Sequence, residues 1–124
     1  MIASLTGIVQ SSQQNVVVLD VSGVGYAVAV PQAFASKISV GDRLSIHTSL
    51  IVREDAFLLF GFETQEQLAL FDLLRSVTGI GPKIALAIVG SLSPADISAA
   101  VTGEDPKPFE AVSGVGSKTA KLIV

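Results

Sequence analysis

Apolar and polar residues alternate through the first half of the chain with the two-residue period of β-strands. Apolar runs over residues 2–9 and 16–21 flank the polar stretch 11–15, which is typical of a hairpin. A third alternating run ends at Pro31, and Gly25 within it is expected to allow a bulge or a close backbone approach. Three strands are therefore predicted before residue 32.

One short helix and two further strands complete this half of the chain. Residues 32–38 are compatible with the helix, and alternation returns over residues 43–50. Residues 57–62 form the last strand, which joins its neighbour through Arg53–Ala56. Several short strands with one small helix predict an all-β OB-fold barrel over residues 1–62.

The hydrophobic period becomes helical at Thr64, where Thr64–Gln67 has the sequence of a capping box. Residues 63–124 are predicted to form an all-α domain, in which one helix begins at Pro82 and ends at Gly90. The final helical pattern reaches Val124 without a stop signal. We interpret this helix as truncated and the chain as a fragment.

A seven-residue motif occurs twice in the helical half. Val77–Lys83 and Val112–Lys118 both read apolar, hydroxyl, Gly, apolar, Gly, small residue, Lys, at a constant offset of 35 residues. Two glycines separated by a single residue permit a sharp turn and a close approach to a ligand. The helix that begins next directs its unpaired N–H groups at that turn, and the lysine adds a positive charge. This geometry suits a phosphate.

Two other glycine motifs do not fit these stretches. A dinucleotide-binding fingerprint needs a third glycine where Ile84 and Thr119 stand, and a P-loop needs Gly directly before Lys, whereas Ser117 intervenes. For a single copy, a tight helix–helix turn without a ligand would be the favoured interpretation. Two copies, each with Lys in the first helical turn, favour a duplicated clamp on phosphate backbones. This pattern is similar to the helix-hairpin-helix motif, which binds nucleic acid without reading sequence.

The net charge indicates weak binding by each copy of the chain. It is −3 at pH 7 with a pI near 4.9, where a nucleic-acid-binding domain is expected to be basic. Residues 1–62 carry three bases and four acids, and residues 63–124 carry five bases and seven acids. DNA contacts must then come from backbone amides and a few lysines, and several copies are needed. The hydrophobic content of 49% also indicates buried interfaces.

Composition disfavours several classes of protein and site. The absence of cysteine excludes disulfides, a thiol nucleophile and an iron–sulfur cluster. No apolar run reaches the ~20 residues of a membrane span, and no signal peptide is visible, so a cytosolic location is the default. His47 is the single histidine, so a metal site built from several histidines is excluded, and we expect His47 at the surface.

Four aromatic residues have the spacing of core positions rather than of a base-stacking surface: Phe57, Phe60, Phe62 and Phe71.

Glu54 and Asp55 are adjacent at the tip of the last predicted hairpin. From the residues alone, an ordinary solvated turn is favoured. A metal site or a proton-sharing carboxylate pair is the alternative.

Five stretches, in order along the chain, resemble the RuvA family of bacterial Holliday-junction-binding proteins. They are Met1-Ile2 with Leu5 and Gly7, Gly23–Tyr26, Val52–Asp55, Leu59–Phe62 and Gly79–Lys83. The resemblance implies an OB-fold that builds a homotetramer, alone or as an octamer, and two hairpins that grip DNA arms. It also implies a third domain, without counterpart here, that engages the RuvB ring ATPase, while the RuvC resolvase acts on the same junction.

The resemblance also assigns residues, and it implies neither a cofactor nor a metal. Glu54 and Asp55 resemble the family's central acidic pin. Many members have Ala-Glu-Arg where this chain has Ala120-Lys121-Leu122, which leaves Lys121 as the candidate to replace that arginine. The DNA-binding residues that it implies are Gly79, Ile80, Gly81, Pro82, Lys83, Gly114, Val115, Gly116, Ser117, Lys118, Thr119 and Lys121.

The expected function is structure-specific binding of four-way DNA junctions by a non-catalytic subunit of a branch migration complex in recombination and repair. One alternative is a DNA repair enzyme, such as a glycosylase, which needs a base-flipping pocket and a catalytic Asp or Lys after the hairpin. The other alternative is a protein–protein adaptor in which the glycine turns are purely structural.

Overall fold

In the computed structural model, which describes residues 1–124, the alternating half of the chain forms a closed five-stranded barrel. Its strands pair in the order β1-β2-β3-β5-β4, and only the β3–β5 pair is parallel. The barrel that the alternation predicted is therefore confirmed. The strands are β1 (Ser4–Gln13), β2 (Val16–Val21), β3 (Val24–Ala29), β4 (Arg43–Val52) and β5 (Phe57–Phe62), and a short helix, α1 (Gln32–Ala35), lies between β3 and β4.

The barrel core consists of the inward-facing members of each alternating strand, with Val17, Leu19 and Val28 completely buried. Thr48 is the one buried polar residue of the core, at 3% exposure. Its hydroxyl donates to the carbonyl of Ile2 at 2.7 Å, and its backbone N–H donates to the carbonyl of Ala3 at 2.9 Å. The buried hydroxyl is thus satisfied, and the residues before β1 are fixed along β4.

The irregular positions of the barrel differ from the expected ones. β1 extends through Gln13, so the hairpin tip is shorter than the predicted polar stretch 11–15. The bulge lies in β1 between Val9 and Ser11 rather than at Gly25, which pairs in regular register on β3. The closest backbone approach is instead at Gly7, where a Cβ would collide with the carbonyl of Asp20.

Five helices follow the barrel strands. They are α2 (Gln65–Arg75), α3 (Pro82–Ser91), α4 (Pro94–Thr102), α5 (Lys107–Glu110) and α6 (Ser117–Ile123). The chain separates into two compact units, Met1–Leu68 and Ala69–Val124, with the division inside α2. The domain boundary between residues 62 and 63 stays a prediction.

Helix boundaries follow the capping residues in part. The Thr64 hydroxyl oxygen accepts the backbone N–H of Gln67 at 3.1 Å, but the side-chain Oε1 of Gln67 is buried without a partner, so only half of the predicted capping box forms. The prediction that α3 ends at Gly90 was wrong, because the helix continues to Ser91 and Leu92 still donates to Ile88. No single helix is long and apolar enough to cross a membrane, and α3 with α4 reaches that length only across a bend of 106°.

Candidate nucleic-acid interface

The two glycine turns have the same backbone conformation. Gly79 has φ +94° and Gly114 has φ +89°, a region that favours glycine over any residue with a Cβ. In the first turn Ile80 donates its N–H to Val77 at 3.0 Å, and in the second Val115 donates to Val112 at 3.1 Å. The two copies of the motif, 35 residues apart in the sequence, therefore form turns with the same backbone conformation and the same hydrogen bond.

The equivalence continues into the helices that follow. Gly81 precedes α3 with φ −85° and ψ 174°, and Gly116 precedes α6 with φ −83° and ψ 169°. Each glycine carbonyl accepts the first helical hydrogen bond, from Ala85 at 3.0 Å and from Ala120 at 2.9 Å. Both helices thus begin at the position that the motif predicts.

The N-termini of α3 and α6 are open to an anion. Neither helix has a side-chain cap or an acidic residue in its first turn. α4 differs, because Ser93 and Asp96 form a complete capping box at its N-terminus. Apart from the neighbouring residues in the chain, no atom lies within 4 Å of where a Cβ on Gly81 or Gly116 would stand. Uncapped first-turn amides and open space are the features that a phosphate requires at a helix N-terminus.

Exposed lysines accompany both helix starts. Lys83 and Lys118 occupy the second helical position of α3 and α6, and Lys121 is also exposed on α6. None of the three forms an ion pair. Arg75 is the one arginine among residues 69–124, and it does form an ion pair. It pairs with Asp72 at 3.6 Å and lies over the ring of Phe71.

The charges are distributed unevenly between the two units. Residues 69–124 carry five bases and five acids, whereas residues 1–68 carry three bases and six acids. The net charge of the helical unit is therefore zero, and all of the −3 belongs to the barrel unit. Neither α3 nor α6 contains an acid. A polyanion approaching these two helices meets lysines with no carboxylate on the same helix.

The structure gives the predicted site residues different environments. Ile80 and Val115 are buried, at 5% and 6% exposure, so only their backbone faces the turn. Pro82 and Thr119 are half-buried, and Ser117 is exposed at the first position of α6. The role of these residues in binding DNA stays a prediction.

Glu54 and Asp55 lie at the tip of the β4–β5 hairpin, as predicted. Arg53 donates its backbone N–H to Ala56 at 2.8 Å, which closes the turn and leaves both carboxylates exposed. No third His, Asp or Glu joins them in a group that could hold a metal ion. The hairpin therefore presents two adjacent negative charges on a short, hydrogen-bonded loop.

Phe57 is not a core residue, contrary to the expectation for the four phenylalanines. It is 75% exposed and lies directly opposite Val52, which is 64% exposed. Phe60, Phe62 and Phe71 are buried, as expected. The sequence did contain a signal for this exposure, because side chains alternate between the two faces of a strand. Phe57 lies three residues before Phe60 and therefore faces the other side of β5.

His47 is half-buried on β4, opposite Ser4 on β1 and Phe62 on β5.

Leu122 lies beside the first turn, a proximity that the sequence did not predict. Its Cδ1 lies 3.0 Å from where a Cβ on Gly79 would stand, although the two residues are far apart in the chain. No sequence pattern indicates this proximity, since it depends on how α6 packs.

Comparison with known proteins identifies both halves of the chain. Residues 1–61 match the RuvA N-terminal domain, and residues 71–124 match the SAM-like helix-hairpin-helix tandem. Three similar relatives are named Holliday junction branch migration complex subunit RuvA. The relative from Leifsonia xyli is 51% identical over the whole chain, that from Clavibacter michiganensis 48%, and that from Herpetosiphon aurantiacus 46%. The chain spans 60%, 58% and 64% of their respective lengths. From its two matched domains and this identity along its whole length, the chain belongs to the RuvA family.

Proposed function

We propose that the chain binds four-way DNA junctions as the non-catalytic DNA-binding subunit of a branch migration complex. The observation that carries the proposal is the pair of equivalent turns, in which Gly81 and Gly116 precede uncapped helices with an exposed lysine in each first turn. Backbone amides and lysines contact phosphates rather than bases, so DNA shape rather than base sequence is recognised.

Several copies of the chain act together on one junction. Two weak clamps per subunit give a homotetramer eight clamps, and affinity then accumulates through multivalent binding. This assembly answers the objection raised by a net charge of −3.

The barrel offers an apolar surface for contact with a second copy. β3 and β5 pair only at Val28–Leu59 and Ala29–Phe60, so the seam that closes the barrel is short. An apolar groove follows this seam, lined by Val16, Ala27, Ala29, Phe57, Leu58, Leu59 and Phe60. Exposed apolar groups of this kind mark interaction surfaces, which supports the proposal that copies meet here. The acidic hairpin, which lies beside the groove, would then be close to the contact between copies.

Catalysis belongs to other proteins in this proposal. A ring ATPase of the RuvB type drives branch migration through a region beyond these residues, and a RuvC-type resolvase acts on the same junction in the bacterial cytoplasm. A glycosylase is the weaker candidate, because α6, which follows the second turn, contains no Asp, and its two lysines, Lys118 and Lys121, are exposed rather than enclosed in a base-flipping pocket.

A band-shift titration tests the proposal directly. A four-way junction and a linear duplex of equal length are titrated with the 124-residue chain at one fixed salt concentration. The junction is expected to bind far more tightly, and its affinity is expected to fall steeply as salt rises. Equal affinity for the two DNAs contradicts junction recognition, and the absence of binding to either favours a protein–protein adaptor.

A further inference from the structure

The two glycine turns share a backbone conformation but differ in what covers them. Leu122 Cδ1 lies 3.0 Å from the Cβ position of Gly79, whereas no atom other than those of its chain neighbours lies within 4 Å of the corresponding position of Gly114. The same offset of 35 residues relates Leu122 to Ala87, whose side chain is a single methyl group. The first turn is therefore covered by a leucine, and the second turn is open.

The covering residue belongs to the helix of the other hairpin. α6 begins after Gly116 and presents Lys118 in its first turn. Leu122 follows Lys118 by four residues, which places both on one face of the helix, about 6 Å apart along its axis. A single helix thus supplies the lysine of the second turn and the cover of the first.

Leu122 is 52% exposed, so its contribution to the core of the unit is limited. α6 is anchored instead by Ala120, which is completely buried. The turn beside Leu122, in contrast, gains from a neighbouring side chain. With glycines at positions 79 and 81, the backbone of this turn has unusual conformational freedom, and the Leu122 side chain restricts that freedom.

We propose that Leu122 is a positioning residue for the first turn, supplied by the helix of the second hairpin, so that the two turns act as one coupled phosphate-binding unit. The inference rests on the proposed function. Leu122 acts through the turn, by holding the amides around Gly81 and the Lys83 side chain where they meet a phosphate. Removal of its side chain should then reduce binding at the first turn without removing a charge.

The test is a pair of double-mutant cycles read by junction binding of the 124-residue chain. Leu122→Ala is expected to weaken binding by about threefold to tenfold, the range typical of coupled neighbouring residues. The salt dependence should keep its slope, because no phosphate-neutralising charge is lost. Val101→Ala, which shortens another exposed apolar side chain, on α4, serves as the matched control and should leave binding unchanged.

The cycles separate positioning from a general loss of structure. Lys83→Ala should weaken binding much less in the Leu122→Ala background than in the parent, because the first turn is already displaced. Lys118→Ala should weaken binding equally in both backgrounds. Leu122→Met, which restores a flexible apolar side chain of similar size, should recover most of the lost affinity.

Additive effects of Leu122→Ala and Lys83→Ala would overturn the inference, and so would unchanged affinity of Leu122→Ala alone. If Leu122→Ala does not fold, the same cycle is measured with Leu122→Val, which shortens the side chain less, and additivity with Lys83→Ala there counts against positioning. Failure of the proposed function is recognised separately, since the parent chain itself would then show no preference for the junction.

Discussion

Gly79 and Gly81 lie two residues apart in the first turn, but only Gly79 has a backbone conformation that favours glycine. Gly79 has φ +94°, where a side chain strains the backbone, whereas Gly81 has φ −85°, which any residue adopts. Apart from its neighbours in the chain, no atom of the protein lies within 4 Å of a Cβ on Gly81. The protein itself therefore gives no steric reason for glycine at position 81, and a ligand that approaches the backbone would supply one.

Gly81→Ala and Gly116→Ala separate binding from folding. Each variant should fold with an unchanged melting temperature, because the backbone conformation and the surrounding space accept a methyl group. Junction affinity should fall about tenfold per turn, since the Cβ obstructs a charge-assisted contact between amide and phosphate. Gly79→Ala is the contrasting variant, and its left-handed backbone should cost about 1–2 kcal/mol of stability. Unchanged affinity of Gly81→Ala and Gly116→Ala would make the turns purely structural.

Lys83→Ala tests the charge at the first turn. Lys83 is exposed and has no ion pair, so its loss should leave the fold intact. Junction binding should weaken, and the slope of log K against log salt should become shallower by about one for each clamp used. Lys107→Ala is the matched control, because Lys107 is also exposed and has no ion pair but lies outside both turns. Equal effects of the two substitutions would indicate general electrostatics rather than a phosphate clamp.

Phe57→Ser tests the barrel surface as a contact between copies. Phe57 is 75% exposed and lines the apolar groove beside β3, so the serine should not disturb the core. Loss of this ring at an interface should shift the assembly toward monomers, since aromatic residues dominate interface energies. Sedimentation or light scattering at several concentrations measures the shift, and Val40→Ser, at another exposed apolar residue, is the control. An unchanged oligomeric state would place the interface elsewhere.

Local chemistry made much of this architecture predictable from the sequence. Alternation placed the barrel strands, and the start of α3 followed from Pro82, because these signals act within a few residues. Gly90 failed as a stop signal since a helical glycine costs about 1 kcal/mol, less than the burial of Ile88 and Val89 on the same helix contributes. Short-range signals of this kind can be outweighed by packing.

The features that the sequence did not predict depend on residues that are far apart in the chain but close together in the fold. The contact of Leu122 with the first turn depends on where α6 packs, and no spacing in the chain encodes it. The open space beside Gly81 is likewise a property of the folded unit. The sequence could therefore predict which residues form the turns, but it could not predict what covers them.

The acidic hairpin supports a last prediction, which combines charge with the proposed assembly. Glu54 and Asp55 are exposed on a turn closed by one hydrogen bond at 2.8 Å, and the apolar groove lies beside the same hairpin. If four copies meet around an axis, four such tips converge near the crossover of the junction. Their carboxylates repel phosphates and should keep DNA strands away from the axis.

Neutralising the tip should therefore tighten binding and reduce selectivity. Glu54→Gln combined with Asp55→Asn removes two negative charges per copy, and each close charge pair in water is worth about 1 kcal/mol, so several pairs allow an effect of about tenfold. Linear duplex should gain more affinity than the junction, because only the tips oppose a duplex that crosses the axis. Affinities for both DNAs at one fixed salt concentration measure this change.

The chain contains its own matched control for that measurement. Glu104-Asp105 repeats the same dipeptide in the helical unit, and Glu104→Gln with Asp105→Asn changes the net charge by the same amount. The Asp105 side chain accepts the backbone N–H of Lys107 at 3.1 Å, a bond that asparagine can keep. Equal gains from the two double variants would assign the effect to overall charge. Unchanged affinities of the Glu54 and Asp55 variant would make the hairpin tip an ordinary solvated turn, whereas a gain confined to that variant and largest for duplex would identify it as the element that excludes continuous DNA.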